Sequence, residues 1–271
     1  MGNIKWQAHR GGAYENPQNT IASANYGWDM GAIVEVDVRT TKDKKIICLH
    51  NSTLEETTNA PSDINRIDIN QLDYTVIRQY DAGIKFNIKF KNEYVPLLEE
   101  LFSIMQKDQT KELYLDLKQV DLKQLAELIT QYKVEKQCIF CHNNVDNCIE
   151  IKKYVDIRAM LWIGGSKEEI MRKFEEIKSN NYHGINQIQL HLNTRDTFDE
   201  WIYDLSSEFI KYALEETAKA SINLELFPWK MNKQNIFEMI DLGIVWFATD
   251  YPKNFKNILE EYYSLTKESA I

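Results

Sequence analysis

Residues 113–161 read LYLDLKQVDLKQLAELITQYKVEKQCIFCHNNVDNCIEIKKYVDIRAML, and the changes of apolar period within that stretch decide the fold class. A short apolar strand is predicted over 113–117. Asp121 then opens a helix that gathers Leu122, Leu125 and Ile129 on one face. A second strand is predicted at 137–141 and a third at 157–161, separated by a helix carrying Val145, Cys148 and Ile149. Strand–helix alternation of this kind builds a parallel sheet with helical crossovers.

The alternation continues in both directions. Towards the N-terminus, strands are predicted at 4–9, 33–38 and 46–50. Asn19 or Thr20 caps a helix that Gly31 stops, and another helix begins near Pro96 with Glu99 and Glu100 in its first turn. Towards the C-terminus, Ser166 and Glu169 form a capping box, and strands follow at 184–190, 221–227 and 245–249. A closing helix is predicted over 254–265. This is the pattern of an α/β protein with an irregular (β/α)8 TIM barrel, and a doubly wound open sheet is the alternative. Nine strand candidates are one too many for a closed eight-stranded barrel. The link at 39–45 is also too short for a helical crossover, so the irregularity falls at the second and third strands. Residues 52–94 lack a strong period and read as an excursion between the third and fourth strands, within one domain spanning 1–271.

The chain has 271 residues, 44% of them hydrophobic and 27% charged, which is globular composition rather than disorder. Lys and Arg number 32 against 41 Asp and Glu, for a net charge of −9; that argues against a nucleic-acid or anionic-membrane surface, both of which need clustered Lys and Arg. No apolar run reaches the ~18 residues of a membrane span, and MGNIKWQAHRGG does not resemble a signal peptide. A soluble, cytoplasmic protein is expected, with its oligomeric state open. Four cysteines are too few for a secreted disulfide framework. Cys138 and Cys141 form a CxxC beside His142, but no second ligand pair matches it, and QCIFC reads as buried strand.

The chemistry collects at the C-terminal ends of the first four strands, the face where barrel catalytic groups converge. His9, Arg10, Gly11 and Gly12 close the first strand, and His50 the third. Glu35 and Asp37 share a face of the second strand, Asp116 and Lys118 a face of the fourth. Three carboxylates inside a barrel repel one another unless a cation compensates them, and all-oxygen ligation selects a hard divalent ion: Mg²⁺, Ca²⁺ or Mn²⁺. Such an ion with Arg10 and Lys118 makes the site cationic, suited to a phosphoryl group. Two histidines can then share proton transfer. Taken singly, each histidine suits a structural role, and Glu35–Asp37 suits a salt bridge to Arg39 or Lys45; their joint placement favours function. His142, His183 and His191 lack ligand-like spacing and read as surface or core.

The stretch AHRGGAYENPQNTIASANYGWDMGAIVEVDVRTTKDKKIICLHNSTLEETTN carries an HRG turn, a PENT-like element, an E-x-D strand, a T-x-D turn and an HD-x-x-L-like element running into a TT pair. It resembles the signature of the glycerophosphodiester phosphodiesterase family. Further matches follow in order at Tyr94-Val-Pro-Leu-Leu-Glu-Glu, Leu115-Asp-Leu-Lys and Ala248-Thr-Asp-Tyr-Pro. The resemblance implies an irregular barrel and metal-dependent cleavage of a small glycerophosphodiester to an alcohol and glycerol 3-phosphate. By position it implies His9 and His50 as the acid–base pair, and Glu35, Asp37 and Asp116 as metal ligands. Arg10 would contact phosphate and Lys118 would face substrate. Three residues depart from the pattern: Asp116 and Gln18 stand where the family has Glu, and Asn51 replaces an acid. Glu225 and Trp229 stand near a missing W-T pair, where core or rim positions are expected. A barrel that binds a phosphorylated polyol without turnover, and a phosphodiesterase acting on lysophospholipids, are the competing readings.

Overall fold

The computed structural model describes residues 4–196 and 200–268. The chain runs β1 (Lys5–Ala8), α1 (Ile21–Asp29), β2 (Ile33–Thr40), β3 (Ile46–Cys48), α2 (Tyr74–Ile77), α3 (Leu98–Met105), β4 (Leu113–Gln119) and α4 (Leu122–Tyr132). It continues through β5 (Cys138–His142), α5 (Val145–Ile151), β6 (Arg158–Ile163), α6 (Lys167–Ser179), β7 (Gln187–Leu192) and α7 (Ser207–Lys219). β8 (Asn223–Pro228), α8 (Lys233–Asp241), β9 (Trp246–Thr249) and α9 (Pro252–Glu268) complete it.

β1 pairs in parallel with β2 on one side and β9 on the other, which closes the sheet. Closure rules out the open doubly wound alternative. β3 is the ninth strand and lies outside the barrel, antiparallel to β2 with Val38 opposite Cys48 and Thr40 opposite Ile46. The short link is therefore a hairpin turn. Thr41 Oγ1 donates to Asp43 and accepts from the Lys45 amide, and Lys44 takes a left-handed conformation with φ 64°. The excursion packs its own apolar cluster, including Ile47, Leu54, Ile69 and Ile77, beside the barrel.

Pleating sorts each strand into two faces. On β2, Val34, Val36 and Val38 point outward into the main core with Leu98, Phe102 and Leu125 of the surrounding helices. Glu35 and Asp37 therefore point inward. β4 divides likewise, with Leu113, Leu115 and Leu117 outward. The register sets Glu35 opposite Tyr114 and Asp37 opposite Asp116, so the strands deliver their carboxylates side by side. The same parity separates the CxxC: Cys138 belongs to the outer core and Cys141 to the inner cluster, which prevents a common ligand. All four cysteines are buried and unpaired.

The helix stops and caps read from the sequence recur. Ser166 and Glu169 make a reciprocal capping box, the Asp121 side chain accepts from the Gln124 amide, and Gly31 adopts positive φ. Several strand ends shift. Gly184, with φ 82°, belongs to the turn ahead of β7, and β1 stops at Ala8 because Arg10 turns left-handed at φ 51°. That turn has a steric requirement at Gly11, where φ is 76° and a Cβ would come within 2.6 Å of the Ser23 carbonyl carbon. Without a side chain there, α1 can pack directly beneath the His9–Arg10 turn.

Candidate active site

The turn after β1 carries His9 and Arg10 to the barrel mouth. The Arg10 backbone amide donates to Glu35 Oε2 at 2.7 Å, which ties this turn to β2. His9 Nδ1 lies 2.7 Å from Asp250 Oδ1, just beyond β9. A carboxylate oxygen can only accept, so Nδ1 carries the proton and Nε2 faces the site, 3.9 Å from Glu35 Oε2. Burial disfavours the charged ring, but Asp250 and Glu35 outweigh it and hold the His9 pKa above its usual value.

His50 returns to the mouth from β3. Its Nδ1 donates to Asn51 Oδ1 at 2.6 Å, again leaving Nε2 free. The Asn51 amide donates in turn to Glu56. The negative charge absent at position 51 thus stands one hydrogen bond further away. Burial lowers the His50 pKa.

One oxygen from each of Glu35, Asp37 and Asp116 falls within 4.8 Å of the others. Glu35 Oε1 is buried without a hydrogen-bond partner, an expensive arrangement unless an electropositive group occupies the space. Burial and the neighbouring Asp37 charge push Glu35 up to about 8. Asp37 goes the other way: burial raises it, but Lys118 and Arg10 outweigh that effect. Arg10 Nε lies 3.3 Å from Asp37 Oδ2; Lys118 Nζ lies 3.2 Å from Oδ1 and 2.9 Å from Asp116 Oδ2. Asp116 is raised chiefly by burial. All-oxygen donors, with Glu35 Oε1 and Asp37 Oδ1 both lacking a hydrogen-bond partner, fit a hard divalent cation. The shorter side chain of Asp116 still reaches the cluster.

All seven residues read from the sequence meet here. Six of them line a cavity of about 240 Å³: His9, Arg10, Glu35, His50, Asp116 and Lys118. Asp37 lies beneath, 1% exposed. Neither Arg39 nor Lys45 takes the salt bridge to Glu35–Asp37; Arg39 Nε instead donates to the His50 carbonyl. Gln18 keeps a place in the site, accepting from Arg10 Nη1 at 2.8 Å.

Three further residues belong to the site and were missed. Asn19 clamps Asp37, donating to Oδ2 at 2.8 Å and accepting from its backbone amide at 2.9 Å. The sequence offered it as an alternative helix cap; Thr20 takes that role. Asp250 orients His9, and its signal was the Thr249-Asp250-Tyr251-Pro252 segment, matched without a role. His191, read as surface or core, lines the cavity from β7 and stacks on Trp162 at 5.3 Å. Burial, then the charges of His9 and Lys118, lower it to about 3, so it is neutral at any physiological pH. Its signal was its strand-end position. Four other residues lie where the sequence placed them. Glu225 is core, fully buried on Gln187; Trp229 is on the rim, 42% exposed. His183 is exposed and His142 is partly buried.

A closed barrel with two Nδ1-anchored histidines facing a carboxylate cluster and two cations is an arrangement suited to proton transfer on an anionic phosphate ester. Comparison with known proteins narrows the class. The Glycerophosphoryl diester phosphodiesterase family model matches residues 9–254, and the chain belongs to that family. A glycerophosphodiester phosphodiesterase of Caldanaerobacter subterraneus subsp. tengcongensis is 25% identical over 265 residues, covering 94% of this chain and 97% of that protein. Lysophospholipase D GDPD1 of Mus musculus is also 25% identical, over 94% of this chain and 86% of its own length. Among solved structures, a glycerophosphodiester phosphodiesterase from Agrobacterium tumefaciens superposes with a TM-score of 0.75 at 18% identity, covering 94% of this chain and 99% of that one. A phosphodiesterase from Oleispira antarctica, in complex with the product sn-glycerol-3-phosphate, gives 0.70 at 17% identity, covering 94% and 96%.

Proposed function

We propose that this protein hydrolyses glycerophosphodiesters to an alcohol and glycerol 3-phosphate, with Glu35, Asp37 and Asp116 holding one divalent ion and His9 and His50 moving protons. The observation that carries the reading is the pair of histidines, each with Nδ1 committed to an acceptor and Nε2 turned to the cavity, beside the unsatisfied Glu35 Oε1. When bound, Mg²⁺ or Ca²⁺, with Mn²⁺ as the third candidate, supplies charge to offset the carboxylates and polarises a phosphoryl oxygen. Arg10 and Lys118 bind the remaining phosphate oxygens. One histidine takes the proton of the neighbouring glycerol hydroxyl, whose oxygen attacks phosphorus in line. The other protonates the departing alkoxide as the P–O bond breaks. Water then opens the cyclic phosphate with the two roles reversed. Asn19 and Asp250 hold their partners in place and exchange no proton with substrate.

The whole chain serves as one catalytic domain in this reading. Buried, unpaired cysteines favour a reducing, cytoplasmic setting. A lysophospholipid substrate is the second reading. It is supported by aromatic groups at the mouth, where Phe227 and Trp229 meet the His9 ring at 5.0 and 6.2 Å between centroids.

The test is His9→Ala and His50→Ala. Each lowers kcat for glycerophosphocholine by ~10²–10⁴-fold, the usual worth of a general acid or base, while the protein remains folded. Near-normal turnover in either variant refutes the role of that histidine.

A further inference from the structure

Residues 84–91 read IKFNIKFK: three lysines and no acid, in a chain of net charge −9. Ile88 is 68% exposed and Phe86 40%, while Lys85, Lys89 and Lys91 are also exposed. Fraying does not explain this exposure, because the loop is pinned at its base and its tip. At the base, the Asp81 carboxylate accepts from the Gly83, Ile84 and Asn92 amides, and the Ala82 amide donates to the Glu93 carbonyl. At the tip, the Phe86 and Asn87 amides donate to the Gly83 carbonyl, and the Asn87 side chain caps the turn Ile88–Phe90. A Cβ at Gly83 would come within 2.1 Å of the Phe90 carbonyl oxygen, so the loop closes as tightly as glycine allows.

The loop stands at the rim of the site. Lys85 and Phe86 share a cavity wall with Gln18 and Glu56, the partners of Arg10 and of the Asn51 that holds His50. Two other exposed aromatics lie beyond the C-terminal ends of barrel strands. Tyr14, 65% exposed, follows β1 and stacks on Tyr251 beyond β9; Trp229 ends β8. Among the described residues, Trp229 lines the catalytic cavity and Phe86 the cavity beside it, and both are among the six large exposed apolar side chains. Nearby acids are engaged: Glu55 pairs with Arg66, Glu56 accepts from Asn51, and Glu93 accepts from the Ala22 amide.

We propose that the catalytic face docks on an anionic phospholipid surface, with Ile88 and Phe86 entering the interface and Lys89 and Lys91 meeting the headgroups, while Lys85 donates to the Glu55 carbonyl at 2.5 Å. Apolar tips flanked by lysines are what an interfacial binder needs, and the loop's charge, opposite to that of the whole chain, selects an anionic partner. Docked this way, the active-site mouth faces the lipid. The inference goes beyond the catalytic reading and depends on binding, not on turnover.

The experiment is cosedimentation of the full chain with vesicles of phosphatidylcholine alone and of equal parts phosphatidylcholine and phosphatidylglycerol, comparing wild type with I88D/K89E. Wild type partitions onto the mixed vesicles about tenfold better than onto phosphatidylcholine, and added salt reduces the difference. I88D/K89E falls to the phosphatidylcholine level, with its melting temperature and its kcat/KM for soluble glycerophosphocholine unchanged. Equal wild-type binding to both vesicles, undiminished binding by the variant, or sedimentation without lipid each overturns the proposal; the last points to a second copy of the chain on this face. Glycerol 3-phosphate release without vesicle binding is a failure of docking alone, and binding without release is a failure of the catalytic reading alone.

Discussion

Asp250→Asn tests the least visible part of the site. The wild-type contact is a 2.7 Å hydrogen bond between a buried carboxylate and His9 Nδ1. Bonds to a charged partner contribute ~1.5–3 kcal/mol. At about 1.4 kcal/mol per factor of ten, losing that support as charge builds on the ring lowers kcat roughly 10- to 150-fold. The asparagine can also turn its NH₂ toward the ring and favour the wrong tautomer, which pushes the loss to the upper end. The sign of the pH effect follows from the balance at His9, where burial lowers the pKa and Asp250 and Glu35 raise it. Removing the Asp250 charge lets burial count for more, so His9 titrates at lower pH. The limb of the pH–rate profile that belongs to His9 moves toward acid while the His50 limb stays. The assay is glycerol 3-phosphate release from glycerophosphocholine across pH, with divalent-ion affinity measured alongside to show that the carboxylate cluster is intact. Activity within threefold of wild type, or an unshifted profile, would refute the assignment of Asp250 as the group that positions His9.

Two further predictions concern the carboxylates. Glu35, raised to about 8 by burial and by Asp37, is mostly protonated at pH 7 in the metal-free protein, so binding a divalent ion there releases about one proton. Calorimetry in buffers of different ionisation enthalpy reads that release, which shrinks above about pH 9; affinity climbs with pH to about 8 and then levels, and a pH-independent affinity contradicts the assignment. Asn19→Ala removes both hydrogen bonds to Asp37 and lowers divalent-ion affinity ~10- to 100-fold, as loss of a group that orients a ligand usually does; unchanged affinity in calorimetry would show that the clamp is dispensable.

Local periods carried most of the fold. The strand–helix run at 113–161 survives almost residue for residue, and the short link at 39–45 correctly signalled that one strand leaves the parallel order. Strand ends were less legible. The strand expected from 184 starts only at Gln187, because Gly184, φ 82°, closes a turn in which Asn181 and Tyr182 are also left-handed. Within the site, the pairs two apart on one strand, Glu35–Asp37 and Asp116–Lys118, were readable because strand parity fixes their side. Asp250 was not, because it reaches His9 across 241 residues of sequence by way of barrel closure, which no spacing encodes. Asn19 was hidden differently: Asn–Thr before an apolar run reads as a helix cap either way, and only the left-handed backbone of Asn19, φ 58°, frees it to face Asp37. The exposed apolar residues near the site needed the structure too, since Phe86 and Trp229 line neighbouring cavities from distant segments.

The central claim is a metal-dependent phosphodiesterase built on Glu35, Asp37 and Asp116. Its most direct test is glycerol 3-phosphate release from glycerophosphocholine and glycerophosphoethanolamine by protein stripped with chelator, then titrated with Mg²⁺, Ca²⁺ or Mn²⁺. The account predicts no release from the stripped protein and saturable restoration by at least one of these ions. Release that persists through chelation, or folded protein that stays silent with every ion, would contradict it.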